Sequence, residues 1–243
     1  MIFLSDGSTV NSKKRKQEVL EFLLNNREKS SAQLLQDLFV IYFSKGKKSG
    51  YFVEFGATDG ISHSNTYRLE RDFDWQGILA EPSPVWHERL RGNRNCHIDT
   101  RCVYSRSNEI VQFRNAYEYP DLSGIEKNLQ PDHNKELRQK FSAEDVSTVS
   151  LTDLLKNYNA PTSIDYLSVD TEGSELEILS AFDFSAFKIA LLTVEHNFVN
   201  DQRDKLKALL EKNGFIRVFE NISRWDDWYL NANIIGDAFF YRS

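Results

Sequence analysis

The chain has 243 residues, 40% hydrophobic and 27% charged, with a formal net charge of −6 and a pI near 5.5. That length supports one sizeable core, and the acidic balance argues against a nonspecific grip on nucleic acid, which needs a basic face. The two cysteines, Cys96 and Cys102, make no disulfide framework, and the apolar start "MIFL" is too short for a signal-peptide core or a membrane span; the expected setting is reducing and cytoplasmic.

Residues 13–43 carry apolar side chains at helical spacing, Val19, Leu20, Phe22 and Leu23 and then Leu34, Leu35, Leu38, Phe39, Ile41 and Tyr42, with "REKSS" between the two segments. The basic run Lys13–Lys16 reads as a solvated helix start. After Gly50 the pattern changes. Strands are expected at "YFVEF", "GILAE", "CHI", "IDYLSVD" and "IALLTVEH", and helices at "SNTYRLERD", "PVWHERLRG", "SLTDLLKNY", "SELEILSAF" and "QRDKLKALLEKNG". Apolar strands that alternate with helices predict a doubly wound, mostly parallel sheet with its ligand beyond the carboxyl ends of the strands. "FIRVFENIS" and "DAFFYRS" have no long helix between them and predict an antiparallel hairpin at the end of the sheet.

The stretch "EFGATDG" places Glu54 at the end of the first strand, with Gly56 and Gly60 in the turn that follows. Glycine admits close approach of a ligand to the backbone. The segment lacks the Lys-Ser/Thr ending of a P-loop and the third glycine of a dinucleotide turn, and Glu54 would repel a pyrophosphate. An acid there suits a cationic ligand, such as the ammonium and sulfonium of S-adenosylmethionine. Glu81 ends the second strand, where a carboxylate can accept two hydrogen bonds from a ribose diol. Asp99 ends the third, where a polar group can meet an adenine edge.

These blocks, together with "AEPSP", "VSTVSLTDLL", "YLSVDTEGSELEIL" and "LLTVEHN", resemble the FkbM family of S-adenosylmethionine-dependent methyltransferases over roughly residues 50–220. The resemblance implies a class I (Rossmann-like) methyltransferase fold over 49–243, preceded by a helical extension at 1–48. It implies methyl transfer to a hydroxyl of a sugar, glycan or natural product. It also implies that Glu54, Gly56 and Gly60, with Ala57 and Asp59 beside them, hold the methionine end of the cofactor. Glu81 and Pro82 would then serve the ribose and Asp99 the adenine.

Asp170 closes the fourth strand, and Glu195 and His196 close the fifth, so a doubly wound sheet brings all three to the same crevice. Two readings stay open. His196 can act as the general base for an alcohol, oriented by Asp170, or Asp170, Glu195 and His196 can hold Mg²⁺, Mn²⁺ or Ca²⁺, which lowers the pKa of the acceptor oxygen. Glu172 is a further candidate facing the site. Its bland reading, shared with Glu175, is a first-turn acid favoured by the helix macrodipole.

His63, Ser64, Asn65 and Thr66 offer either a helix cap or groups for the substrate pocket, His63 and Asn65 above all. Residues 115–147 interrupt the alternation and suggest a lid or specificity element with a short helix at "DHNKELRQKF". His133, Lys135, Arg138 and Lys140 would make that helix locally basic, suited to an anionic sugar or a phosphate, unless they form a solvated face. "SRWDDWYLNAN" places Trp225 and Trp228 where they can stack on a sugar or pack in a hairpin or homo-oligomer contact. Two other classes are weighed. An NAD-dependent oxidoreductase is disfavoured by the missing glycine. A nonenzymatic cofactor- or partner-binding module is disfavoured by Asp170, Glu195 and His196.

Overall fold

In chain order the elements are α1 (Asp6–Asn26), α2 (Gln36–Phe43), β1 (Tyr51–Phe55), α3 (Tyr67–Phe73), β2 (Gln76–Ala80), α4 (Pro84–Asn93) and β3 (His97–Asp99). Then come β4 (Cys102–Tyr104), β5 (Ile110–Ala116), β6 (Gly124–Ile125), β7 (Phe141–Ser150), α5 (Leu151–Asn157), β8 (Ser163–Val169) and α6 (Glu175–Ser180). The last are β9 (Lys188–Glu195), α7 (Asn200–Lys212), β10 (Phe215–Val218), β11 (Asp226–Asn231) and the short α8 (Ala232–Ile235). The computed structural model describes residues 6–129, 136, 137 and 139–235.

The central sheet has the order β10-β11-β9-β8-β1-β2-β3. All its pairings are parallel except those of β11, which runs antiparallel to both β9 and β10. The order reverses at β1: its chain-order successor β2 lies on one side and β8 on the other. A crevice therefore opens at the carboxyl ends of these strands.

Alternate side chains of the buried strands feed two cores, because successive residues of a strand face opposite sides. Phe52, Tyr166, Leu191, Trp228 and Leu230 pack with Val19, Leu23, Leu38 and Phe39 of α1 and α2 and with Leu69 and Leu90 of α3 and α4. Val53, Phe55, Leu167, Val169 and Leu192 pack on the other face with Leu154, Ile178, Leu179, Leu206 and Leu210 of α5, α6 and α7. The N-terminal helices thus complete one layer of an α/β/α sandwich.

The hairpin differs from expectation. Its second strand is "DDWYLN", Asp226–Asn231, inserted between β9 and β10, while the expected "DAFFYRS" lies outside the described residues. All six residues of β11 are buried, and Trp228 is only 1% exposed. Trp228 is a core residue packed against Phe39 at 5.0 Å between ring centroids, and it offers no sugar platform.

A second, four-stranded sheet, β4-β7-β5-β6, was not foreseen. In β5, Val111 and Phe113 are buried between exposed Ile110 and Gln112, the alternation of a strand with one wet face. This sheet occupies much of 115–147. Half of the short helix expected at "DHNKELRQKF", including His133, Lys135 and Arg138, lies outside the described residues, and Phe141 already belongs to β7. Lys140 is exposed and pairs with Glu118 at 2.6 Å.

Replacing Trp228 by Ala should cost roughly 3–5 kcal/mol, the usual range for emptying a large aromatic site in a core. The urea midpoint should fall while the slope stays constant. An unchanged midpoint would contradict the core placement.

Candidate functional site

The strand ends meet because glycine permits it. Gly56 has φ +72°, and a Cβ on it would lie 2.2 Å from the carbonyl oxygen of Asp170, so no other residue fits where β1 passes β8. Beyond this crossing lies a cavity of about 320 Å³, within the usual range for a small-molecule site. Glu54, Gly56, His63, Asn65, Glu81, Pro82, Asp170, Glu172, Glu195 and Trp225 all line it.

Each acid has its own environment. Glu54 is buried and committed to the turn behind it: its carboxylate accepts from Asn65 N (2.7 Å), Ser64 Oγ (3.0 Å) and Thr66 Oγ1 (2.5 Å), with Arg94 3.8 Å away. Ser64 also caps α3, its Oγ accepting from the N–H groups of Thr66 and Tyr67. Asn65 donates through Nδ2 to Ser168 Oγ at 2.9 Å, while its buried Oδ1 has no partner among the described residues. Glu81 accepts from the backbone N–H groups of Thr58 (2.9 Å) and Ser83 (2.8 Å). Burial nevertheless pushes its pKa up to about 7.

At the next two strand ends the acids crowd together. Asp170, just after β8, and Glu195, at the end of β9, stand on neighbouring parallel strands. Burial first, and the neighbouring carboxylates second, push Asp170 up to about 6 and Glu195 well above the ordinary range. Asn197 bridges this pair to Glu172: its Nδ2 donates to Glu195 Oε2 (2.8 Å) and Glu172 Oε2 (3.2 Å). Glu172 sits in the loop before α6 with φ +58°, not in the first helical turn. Glu175 organises that loop by accepting from Thr171 N, Thr171 Oγ1 and Gly173 N.

Several expected residues stand outside the cavity. Asp99 turns away to Arg101, with which it pairs at 2.6 Å. Asp59 closes its own turn, accepting from the N–H groups of Ile61 and Ser62. Ala57 is buried beside the turn, and Gly60 packs against Leu90 and Arg94. His196 is buried and points the other way. Its Nδ1 accepts from Phe198 N at 3.0 Å, and its Nε2 lies 3.8 Å from Asp227, which two arginines hold. Burial lowers its pKa. It fixes the turn that presents Asn197, so neither the base nor the metal role expected for His196 fits its position. The carboxylate oxygens that do converge are those of Asp170, Glu172 and Glu195, all within 4.8 Å of one another.

Other lining residues carried little signal in the sequence. Gln33 and Gln36 come from the N-terminal segment, Cys102, Val103 and Phe113 from the second sheet, and Tyr119 to Ser123 from the β5–β6 connection. Gln36 Nε2 donates to Asp226 Oδ2 at 2.6 Å, and Trp225 Nε1 donates to Gln33 Oε1 at 3.3 Å. Asn197 directly follows the Glu-His pair, and that adjacency was the one available clue.

Burial, with Asp170 nearby, pushes Asp226 up to about 8. The folded chain therefore holds a proton that the unfolded chain releases, and Asp226 makes stability fall as pH rises from about 4 to about 8. Asp226→Asn should flatten the decline of Tm across that window. An unchanged slope would show that Asp226 is ionised in the fold.

No curated protein matches the chain. Among solved structures, a methyltransferase FkbM from Methylobacillus flagellatus KT is similar, at 12% identity and a TM-score of 0.47, over 92% of this chain and 60% of that one. A precorrin-6y C5,15-methyltransferase from Geobacter metallireducens GS-15 is similar at 11% identity and a TM-score of 0.41, over 80% of this chain and 85% of that one. The chain thus spans 60% of the length of the FkbM structure it matches. The family model described as the methyltransferase FkbM domain matches residues 54–221, from the acid that ends β1 to the turn before β11, and on that match the chain belongs to the FkbM methyltransferase family.

Proposed function

We propose that this protein is an S-adenosylmethionine-dependent O-methyltransferase acting on a hydroxyl of a sugar, glycan or related natural product. The observation that carries the reading is the acidic lining of the cleft. Glu54, Glu81, Asp121, Asp170, Glu172 and Glu195 line it, and no Lys or Arg does among the described residues. That donor set fits a cofactor bearing a sulfonium and an ammonium, and it opposes a dinucleotide pyrophosphate. The partnerless Asn65 Oδ1, on a residue of the cleft wall, is a further acceptor suited to an ammonium.

S-adenosylmethionine supplies an electrophilic methyl group. Glu81, whose two oxygens are held by backbone N–H groups, is placed to accept from ribose hydroxyls. Glu54 keeps the Ser64–Thr66 turn in place, and its negative charge is felt through that turn. Asp170 receives the proton of the acceptor hydroxyl. Its raised pKa of about 6 suits a base near neutrality. Asn197 keeps Glu195 and Glu172 at fixed spacing.

A second reading rests on the convergence of Asp170, Glu172 and Glu195. Three carboxylates suit Mg²⁺, Ca²⁺ or Mn²⁺, which would sit at these oxygens and make the acceptor hydroxyl more acidic.

Calorimetric titration should show S-adenosylhomocysteine binding to metal-stripped protein. Asp170→Asn should keep that affinity within a few-fold and lower methyl incorporation into hydroxylated sugars by roughly a hundredfold or more, the usual contribution of a general base. Mn²⁺ binding that disappears in Glu172→Gln would favour the metal reading. Failure of the wild type to bind S-adenosylhomocysteine would sink the cofactor assignment.

A further inference from the structure

The six carboxylates of the cleft fall into two groups. Glu54 and Glu81 stand at the carboxyl ends of β1 and β2 and are committed to backbone N–H groups, Glu54 to Asn65 and Glu81 to Thr58 of the β1 loop and Ser83 of its own. Asp170 and Glu195 stand side by side at the ends of β8 and β9, where the proton transfer is assigned. Two acids remain beyond what the cofactor and the proton transfer require: Glu172, and Asp121 in the short helical turn Pro120–Leu122. They belong to one wall. Gly124, just after that turn, lies so close to the Glu172 loop that a Cβ on it would sit 3.2 Å from Glu172 Cβ. The charge of Asp121 also reaches Asp170, whose affinity for a proton it raises.

Two aromatic side chains flank this wall. Tyr119 is 43% exposed and lines the cavity. Trp225 lines it as well, donating from Nε1 to Gln33 Oε1. Aromatic faces attract cations and stack on sugar rings, and carboxylates attract cations. An anionic acceptor would meet a negative field with no lining Lys or Arg among the described residues to offset it.

We infer that the acceptor carries a protonated amine, as an amino sugar or related amino alcohol does, and that Asp121 and Glu172 receive that amine between Tyr119 and Trp225. This rests on the methyl-transfer reading and narrows its substrate class. Among the described residues, no lining Lys or Arg would offset the charge of a nucleotide sugar, a uronic acid or a phosphorylated or sulfated glycan.

The test uses the full chain saturated with S-adenosylhomocysteine, in EDTA, titrated with the methyl glycosides of glucosamine, glucose and glucuronic acid at about pH 6.5, where an amine is largely protonated. The glucosamine glycoside should bind roughly fivefold or more tightly than the glucose glycoside, and the glucuronide weakest of the three, as expected for a partly screened charge pair. The preference should shrink at high ionic strength. Asp121 is exposed, so its variants should fold: Asp121→Asn should remove most of the preference and Asp121→Lys should reverse it. Equal binding of the three, no binding of the amine, or tighter binding of the glucuronide would overturn the inference. Binding of S-adenosylhomocysteine is measured first. If it is absent, the methyl-transfer reading itself fails. If it is present without amine preference, only the substrate class does.

Discussion

The arrangement depends on one close approach, the backbone of Gly56 against the carbonyl of Asp170. β1 and β8 are parallel neighbours, and their carboxyl ends must pass each other before each chain turns to its own helix. A Cβ at position 56 would hold the two loops apart. With hydrogen there instead, the glycine turn and the acid-bearing loop share one wall, and Glu54 and Asp170 belong to a single cleft.

Crowding of carboxylates follows from that contact and carries an energetic cost. Acids buried side by side resist ionisation, and the chain offsets this by raised pKa values at Asp170 and Glu195, by donated N–H groups at Glu81 and Glu54, and by the Asn197 amide between Glu172 and Glu195. Neutral donors accomplish most of this. A lysine or arginine in the cleft would relieve the repulsion more simply and would also cancel the field that a cationic ligand needs. Arg94, the cation nearest to Glu54, instead stays behind the wall, bonded to Glu70, the Gly60 carbonyl and Thr66.

The parts of this fold that were legible in the sequence are those that local pattern dictates. The five parallel strands announce themselves as apolar runs, and their terminal acids Glu54, Glu81, Asp170 and Glu195 fall at the cleft because strand ends must. Direction beyond the last strand residue was not legible. His196 follows Glu195 by one position, yet the next residues Asn197 and Phe198 take left-handed conformations that turn the imidazole away and bring the amide in. Asp99 was hidden for a different reason, since an arginine two residues on captures it. "DDWYLN" has the length and apolar content of a strand, but its aspartates disguised it. Asp227 is tolerable there only because Arg203 and Arg217 arrive from α7 and β10. The second sheet escaped notice because β4 and β6 have only three and two residues and β7 is largely polar.

The placement of β11 has a consequence for how the molecule comes into being. β10 precedes β11 in the chain, yet it touches the sheet only through β11. A nascent chain that has emerged as far as Val218 therefore has an edge at β9 with nothing to cover it. The cleft is equally unfinished, because Gln36 waits for a partner 190 residues later in the chain and Gln33 for one 192 residues later. Contacts of such sequence separation form late. Binding competence and closure of the sheet should thus appear together, in one final step of folding that joins the first quarter of the polypeptide to its last.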